Sequence, residues 1–412
     1  MSVSPVSVVT ELDLPVLDYT PAELAGDGFH ERLALLRQQA WQGWLARSPL
    51  AFIVLDRQAA EFFLRSRAAA FPGREIAELF GVTGGQLRQQ IDANILNQQG
   101  DRHRRLRSLV GAAFTARAAD SKRPVMRDFL GQLWREIAPA ARCDAVAALA
   151  KPYPSLTIAA VLGAPLRDAP MLHDWSSWVQ RQFDITALAS HLPEIERAVA
   201  EIYSYVDALL EQRSSGPGEA ADDLLTALLT AVQGGDRLSR EECVNLVLNV
   251  IAGGIDTTQA QLAHALRLFA AHPAQWKLLG QRPGLVPAAV TEVLRAEPIT
   301  PFTARICLDP LEHRGVTFPA GTIVAICAER ANREQEAGEE FDITAQRDGR
   351  LLTFGAGTHF CLGSNLARAE LEEALGFLAP RMSDLAADGP AVLGGVEGIY
   401  GIEELPLRWS GQ

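Results

Sequence analysis

A chain of 412 residues, 48% hydrophobic and 21% charged, is long and apolar enough for a large globular core and is neither disordered nor fibrous in composition. Its formal net charge of −12 argues against general nucleic-acid binding, which needs a positive surface to hold phosphates. The five cysteines (Cys143, Cys243, Cys307, Cys327, Cys361) form no CxxC pair and no regular spacing, which fits a reducing cytosol better than a disulfide framework.

The N-terminal stretch lacks the basic start and apolar run of a signal peptide. Phe71-Pro72-Gly73, Gly81 to Gly85 and Ser214 to Gly218 read as loops. Between the first two and the third, His103-Arg104-Arg105-Leu106-Arg107 concentrates positive charge, with Arg102 adjoining. His103 and Arg107 lie four apart and share a helix face, a spacing suited to gripping a carboxylate.

Ser239 can cap a helix with Glu242 as the partner of a capping box, and the helical pattern runs to about His272, before Pro273. Such a helix would be roughly 50 Å long, enough to cross a domain. Its apolar stretch, Val244 to Ile255, is too short to span a bilayer and holds two asparagines, so a cytoplasmic chain with no membrane segment is expected. A shorter helix starts near Pro287 and ends before Pro298, carrying Glu292 and Arg295 three apart on one face. Strands are expected at Phe302–Leu308, Val316–Phe318 and Thr322–Ile326, the last two around the turn Pro319-Ala320-Gly321. No internal repeat is visible, and the expectation is a single helix-rich domain over 1–412 with a small β portion.

Two segments carry chemistry. Inside the long helix, Gly253 and Gly254 each cost about 1 kcal/mol relative to alanine, so propensity does not explain them. They remove side chains where something flat or small approaches. Asn245, Asn249, Gly253, Asp256 and Thr257, at offsets of 4, 8, 11 and 12, are expected on one face, a polar stripe lining a cavity. Thr257 can bond a carbonyl one turn back and loosen the ladder. The second segment is Phe354-Gly355-Ala356-Gly357-Thr358-His359-Phe360-Cys361-Leu362-Gly363, followed by a helical stretch from Ser364 to Phe377. Its glycines allow a tight turn, and the amides and helix N-terminus favour a thiolate at Cys361. A lone cysteine behind a glycine turn is ordinarily a buried free thiol. Here Phe, two Gly, His, Cys and a further Gly occur together at offsets suited to a haem-iron ligand.

The segment FGAGTHFCLG resembles the haem-binding loop of bacterial cytochromes P-450, and Leu366-Ala367-Arg368 continues the match. Further motifs follow over nearly the whole chain in the expected order. The resemblance implies the mainly α, triangular P-450 fold with a small β-rich region, and haem b held by Cys361 in the loop of Phe354 and Gly363. It implies that Thr257 steadies the dioxygen and Asp256 relays protons, two being needed with two electrons for each O₂ cleaved. It implies propionate contacts from His103, Arg107, Arg305 and His359, and a structural ExxR lock from Glu292 and Arg295, for which Arg347 is the candidate third partner. Two departures stand out: Leu351, beside Arg350, occupies a position where the family commonly has His, and the stretch from Asn332 to Asp342 is less proline-rich than usual.

The implied reaction inserts one atom of O₂ into an organic substrate and releases the other as water. No flavin or nicotinamide module is visible, so electrons are expected from a separate ferredoxin and reductase, with Arg102, Arg104 and Arg105 as a candidate docking patch. By the same resemblance the substrate is medium-sized and largely apolar. It is walled by the loop from Phe71 to Gln98, by the Trp175–Ala189 region, by Ile299–Phe302 and by Gly398–Tyr400. The candidate lining residues are Ile76, Leu79, Phe80, Phe183, Asn249, Ala252, Gly253, Ile299, Phe302 and Ile399. A peroxygenase is disfavoured by the Asp256–Thr257 pair, and a haem sensor or carrier without turnover by the glycine-notched helix.

Overall fold

The structure is a computed structural model that describes residues 7–18, 24, 27–215, 223–233, 238–334, 337–347, 350–396 and 398–410. Of the loop expected at Ser214 to Gly218, the first two residues end the helix Leu192–Ser215, and 216–218 lie outside the described residues.

A helical body surrounds one central helix. Residues Cys243 to Leu248 are buried without interruption, as expected for a helix enclosed on all sides. It begins as the sequence predicts: Ser239 and Glu242 form a reciprocal capping box. It does not continue unbroken to His272. A capped helix, Arg240–Gly254, stops at Ile255, and a second, Asp256–Ala271, carries on beyond it. Helices Pro152–Leu162, Ala169–Gln180 and Leu192–Ser215 pack on the capped side, while Val286–Ala296 and Ser364–Leu378 flank the second half.

The two glycine-rich stretches near residue 80 are not simply loops. Gly73 opens the helix Gly73–Leu79, and Gly85 opens Gly85–Ala93. Glycine at a helix start reads as a breaker in sequence, but there its lack of a Cβ serves packing. A Cβ on Gly73 would sit 2.7 Å from Asn97 Oδ1.

Among the described residues the β portion is a five-stranded sheet of order Leu45–Arg47, Phe52–Val54, Ile323–Cys327, Phe302–Cys307, Ala69–Ala70, with three smaller sheets. The pairing of Phe302–Cys307 with Ile323–Cys327 is antiparallel and sets Arg305 opposite Val324. The strand Leu311–His313, not anticipated from sequence, joins Val316–Phe318 through Arg314 and Gly315, both left-handed (φ +52° and +74°). An Arg-Gly pair in this turn lacks the asparagine or aspartate that usually marks it. Among the described residues, no helix is long and apolar enough to cross a membrane.

Among the described residues, two buried ionic clusters tie helices to one another and to the segment 337–347. In the first, Arg295 donates twice to Glu292 (2.7 and 2.9 Å) and Arg347 donates to both Glu292 oxygens at 3.2 Å, so Arg347 is the third partner. Arg295 also reaches the carbonyls of Gly338 and Glu340. In the second, the imidazole of His30, on the helix Asp27–Gln39, bridges Glu329 at 2.7 Å and Glu297 at 3.1 Å, with Arg330 and Arg333 also on Glu329. Burial alone would lower the His30 pKa, but its hydrogen bonds to Glu297 and Glu329 raise it to about 9.

Candidate active site

A cavity of about 500 Å³ lies where the central helix, the sheet and the cysteine loop meet. That size is ordinary for a small-molecule site. Cys361 is held by its own N–H, which donates to the Phe354 carbonyl at 2.9 Å, and its side chain opens onto the cavity. The turn needs glycine at Gly357. Its φ is +72°, and a Cβ there would come within 2.7 Å of the Leu64 carbonyl oxygen. Enclosure pushes the Cys361 thiol up, while the amides of Gly363 and Ser364 and the charge of Arg107 pull it down, and the net direction is upward. The amides alone therefore do not produce the thiolate expected from sequence; a bound metal ion deprotonates such a thiol outright.

Four basic side chains converge beside this loop. His103 is buried with neither ring nitrogen hydrogen-bonded, and the ring of His359 lies 4.4 Å away with its Nε2 unpartnered. Arg305 is 4% exposed, and among the described residues its guanidinium bonds only the neighbouring Ala304 carbonyl. Arg107 donates to the Phe360 carbonyl at 2.6 Å. Among the described residues none of the four has a carboxylate within ion-pair distance. Burial holds Arg305 down at about 10; burial, with the charges of His103, Arg305 and Arg107, holds His359 down at about 3. Buried cations and donors without partners are costly. A cradle of this kind fits a group carrying carboxylates, and Cys361 in the same cavity supplies a sulfur ligand for a metal. The residues present therefore fit haem.

Across the cavity the central helix is broken by side-chain donors. Thr257 Oγ1 donates to the Gly253 carbonyl at 2.7 Å and Gln180 Nε2 to that of Ala252, while Ser176 Oγ, with one proton to give, lies 3.2 Å from the Ile251 carbonyl and 3.4 Å from that of Ala252. The two glycines differ. A Cβ on Gly254 would strike Ile158 at 2.4 Å, whereas Gly253 has nothing within 4 Å and faces the cavity.

The five-residue polar face expected here is split. Asn249, Ala252, Gly253 and Thr257 line the cavity. Asn245 does not; it accepts from the Tyr203 hydroxyl. Asp256 does not line it either. Consecutive helix positions point about 100° apart, and the break leaves the Asp256 carboxyl against the helix Ala169–Gln180. There it accepts from Ser176 Oγ at 3.2 Å and lies 3.7 Å from His173 Nε2. Burial pushes its pKa up to about 7.

The wall also includes Ile76, Leu79, Phe80, Phe183, Ile299, Phe302 and Ile399, together with Phe354, His359 and Gly363 of the cysteine loop. Sequence reasoning missed Ser176, Gln180 and Glu370. Glu370, on the helix Ser364–Leu378, lines the cavity with Oε1 unpartnered, and burial pushes its pKa well above the usual carboxylate range. No local pattern marks these three, because their partners lie 72 to 112 residues away. Of the candidate docking arginines, Arg102 and Arg105 face Glu242 and Arg104 pairs with Asp101. Leu351 packs against the main core, and the adjoining Arg350 carbonyl accepts from Arg57 at 2.6 Å.

The family profile described as cytochrome P450 matches residues 26–378. The chain is 34% identical over 407 residues to the luteothin monooxygenase of Streptomyces thioluteus, covering 97% of both. The chain belongs to the cytochrome P450 family. It is also 33% identical over 327 residues to the mycinamicin IV hydroxylase/epoxidase of Micromonospora griseorubida, covering 78% of this chain and 77% of that one. Among solved structures, CalO2 superposes with a TM-score of 0.88 at 29% identity, over 97% of this chain and 100% of the other. The epothilone D-bound cytochrome P450epoK does so with a TM-score of 0.85 at 25% identity, over 96% and 99%. This P450 is thus a monooxygenase of the bacterial type that uses haem with a cysteine thiolate as axial ligand.

Proposed function

We propose that this P450 oxygenates a medium-sized, largely apolar natural product, with electrons from a separate ferredoxin-type partner in the cytoplasm, and that residues 1–412 act as one domain. The observation that carries the reading is a single cavity that holds Cys361 and Thr257 and is otherwise walled mainly by aliphatic and aromatic side chains. Relatives named for mycinamicin IV and erythromycin support a natural-product substrate.

His103, Arg107, Arg305 and His359 would hold the haem carboxylates, and Cys361 its iron. When bound, that group supplies the activation of O₂. The protein's own residues then do the rest. The apolar wall orients the substrate and excludes water. The Thr257 hydroxyl, now committed to the Gly253 carbonyl, sits where it can present a proton to the cavity. Asp256 holds a proton near neutral pH and delivers it after its carboxyl turns from Ser176. Glu292 and Arg295 brace the cysteine-loop side.

The test is a spin-state titration of the ferric enzyme with a panel of apolar natural products, followed by turnover of the binders by wild type and Thr257→Ala. Expected are saturable binding and, in the variant, consumption of reducing equivalents with at least tenfold less product. Binding confined to small polar compounds, or full coupling in Thr257→Ala, would contradict the reading.

A further inference from the structure

Asp256 faces away from the cavity, so its protons must come from the other side of the helix Ala169–Gln180. There, His173 is buried (side chain 7% exposed) between two carboxylates, with Nδ1 3.2 Å from Asp174 Oδ1 and Nε2 3.7 Å from Asp256 Oδ1. Asp174 is 66% exposed. Nε2 also lies 2.7 Å from Gln259 Oε1, an acceptor that fixes a proton on Nε2. With Nε2 protonated, a neutral imidazole offers only a lone pair to Asp174. The 3.2 Å contact is then a hydrogen bond only when a second proton, taken up from solvent, lies between the two. The geometry places a proton entry point at the surface and its exit beside Asp256.

We propose that His173 and Asp174 form a relay that carries protons from solvent to Asp256; the proposal rests on the reading of Asp256 as the proton donor. A proton taken from hydronium by the Asp174 carboxylate passes to His173 Nδ1, and the Nε2 proton of the resulting imidazolium passes to the Asp256 carboxylate. Each hop breaks one O–H or N–H bond and forms another. No electrons move in the relay; the two electrons per O₂ come from the redox partner.

The surrounding charges are few. Lys151, leading into the helix Pro152–Leu162, lies 3.4 Å from Asp174, and Arg181 acts on Asp256. On the helix Leu192–Ser215, Glu201 accepts from Trp175 and Tyr205 donates to Asp168, while Tyr153 turns to the Glu370 carbonyl. Burial lowers the His173 pKa, opposed by Asp174, so the imidazole releases its proton readily.

The test compares haem-loaded wild type, Asp256→Asn, His173→Gln and Asp174→Asn; the last alters an exposed side chain and spares the core. O-deethylation of 7-ethoxycoumarin is driven either by O₂ with a plant-type ferredoxin and reductase or by hydrogen peroxide, which brings its own two protons. Separately, the infrared band of the protonated Asp256 carboxyl, assigned by its loss in Asp256→Asn, is recorded. The relay requires O₂-driven turnover to fall roughly tenfold in His173→Gln and Asp174→Asn with peroxide-driven turnover kept. It also requires the band, followed in time after a drop in pH, to appear more slowly in His173→Gln and Asp174→Asn, which have each lost a hop. Equal losses in both assays, no loss in Asp174→Asn, or a band that appears as fast as in wild type would overturn the relay. If Asp256→Asn itself keeps O₂-driven turnover, the reading of Asp256 fails and the relay with it. Loss in Asp256→Asn alone removes only the relay.

Discussion

The His30 cluster and the cavity cradle both bury basic groups, yet they are built in opposite ways. Around His30 every cation meets a carboxylate: Glu297 and Glu329 take the imidazole, and Glu329 also takes Arg330 and Arg333. Around the cavity, His103, His359 and Arg305 meet none among the described residues. A buried charge left without its partner costs several kcal/mol, so a protein keeps one only where something else supplies the counter-charge. The first cluster belongs to the fold. The second is incomplete without a carboxylate-bearing cofactor.

The largest effect falls at the cavity. Cys361→Ala removes the sulfur ligand and is expected to abolish both monooxygenation and the far-red Soret band of the ferrous–carbon monoxide complex. Persistence of that band would take the sulfur away from the iron.

Breaking a protein-paired cluster acts differently. Glu292→Gln takes the buried carboxylate away from Arg295 and is expected to cost about 3–5 kcal/mol in chemical denaturation, with or without haem. Hydrogen bonds to Arg295 and to the Asp342 amide hold the Glu292 carboxyl below its usual range against burial, so the charge is part of the folded state. A loss seen only with haem bound would move this cluster into the cofactor site.

A smaller effect concerns pH. The His30 pKa is raised on folding to about 9, so its stabilisation is fully present below about 6.5 and is lost as pH rises from there through 9. The loss should be on the order of 3 kcal/mol in wild type and absent in His30→Gln. An unchanged alkaline slope in the variant would show that the imidazole is not charged in the fold.

Features set by neighbouring residues were legible in the sequence. The Ser239 capping box, the backbone turn from Phe354 to Cys361 and the Glu292–Arg295 pair all depend on residues a few positions apart. The approximate strand bounds followed from β-branched runs between turn residues. What was not legible depends on distant donors. Ser176 and Gln180, 72 to 80 residues before their partners, help break the central helix and turn Asp256 away from the cavity. Helical periodicity grouped Asp256 with Thr257 because it assumes an unbroken helix. Pro72-Gly73 reads as a loop in sequence, because the Asn97 side chain that a Cβ on Gly73 would strike at 2.7 Å lies outside any local window.

The claim that the cradle awaits carboxylates is tested most directly by the unfolding of Arg305→Leu, measured without haem and with it, alongside the haem dissociation constant. The apoprotein should be at least as stable as wild type, because an uncompensated buried cation has been removed. Haem binding should weaken by roughly 10- to 100-fold, the worth of one charge-assisted hydrogen bond. An apoprotein destabilised as much as the haem-bound form, with haem affinity unchanged, would contradict the claim and make Arg305 a part of the fold alone.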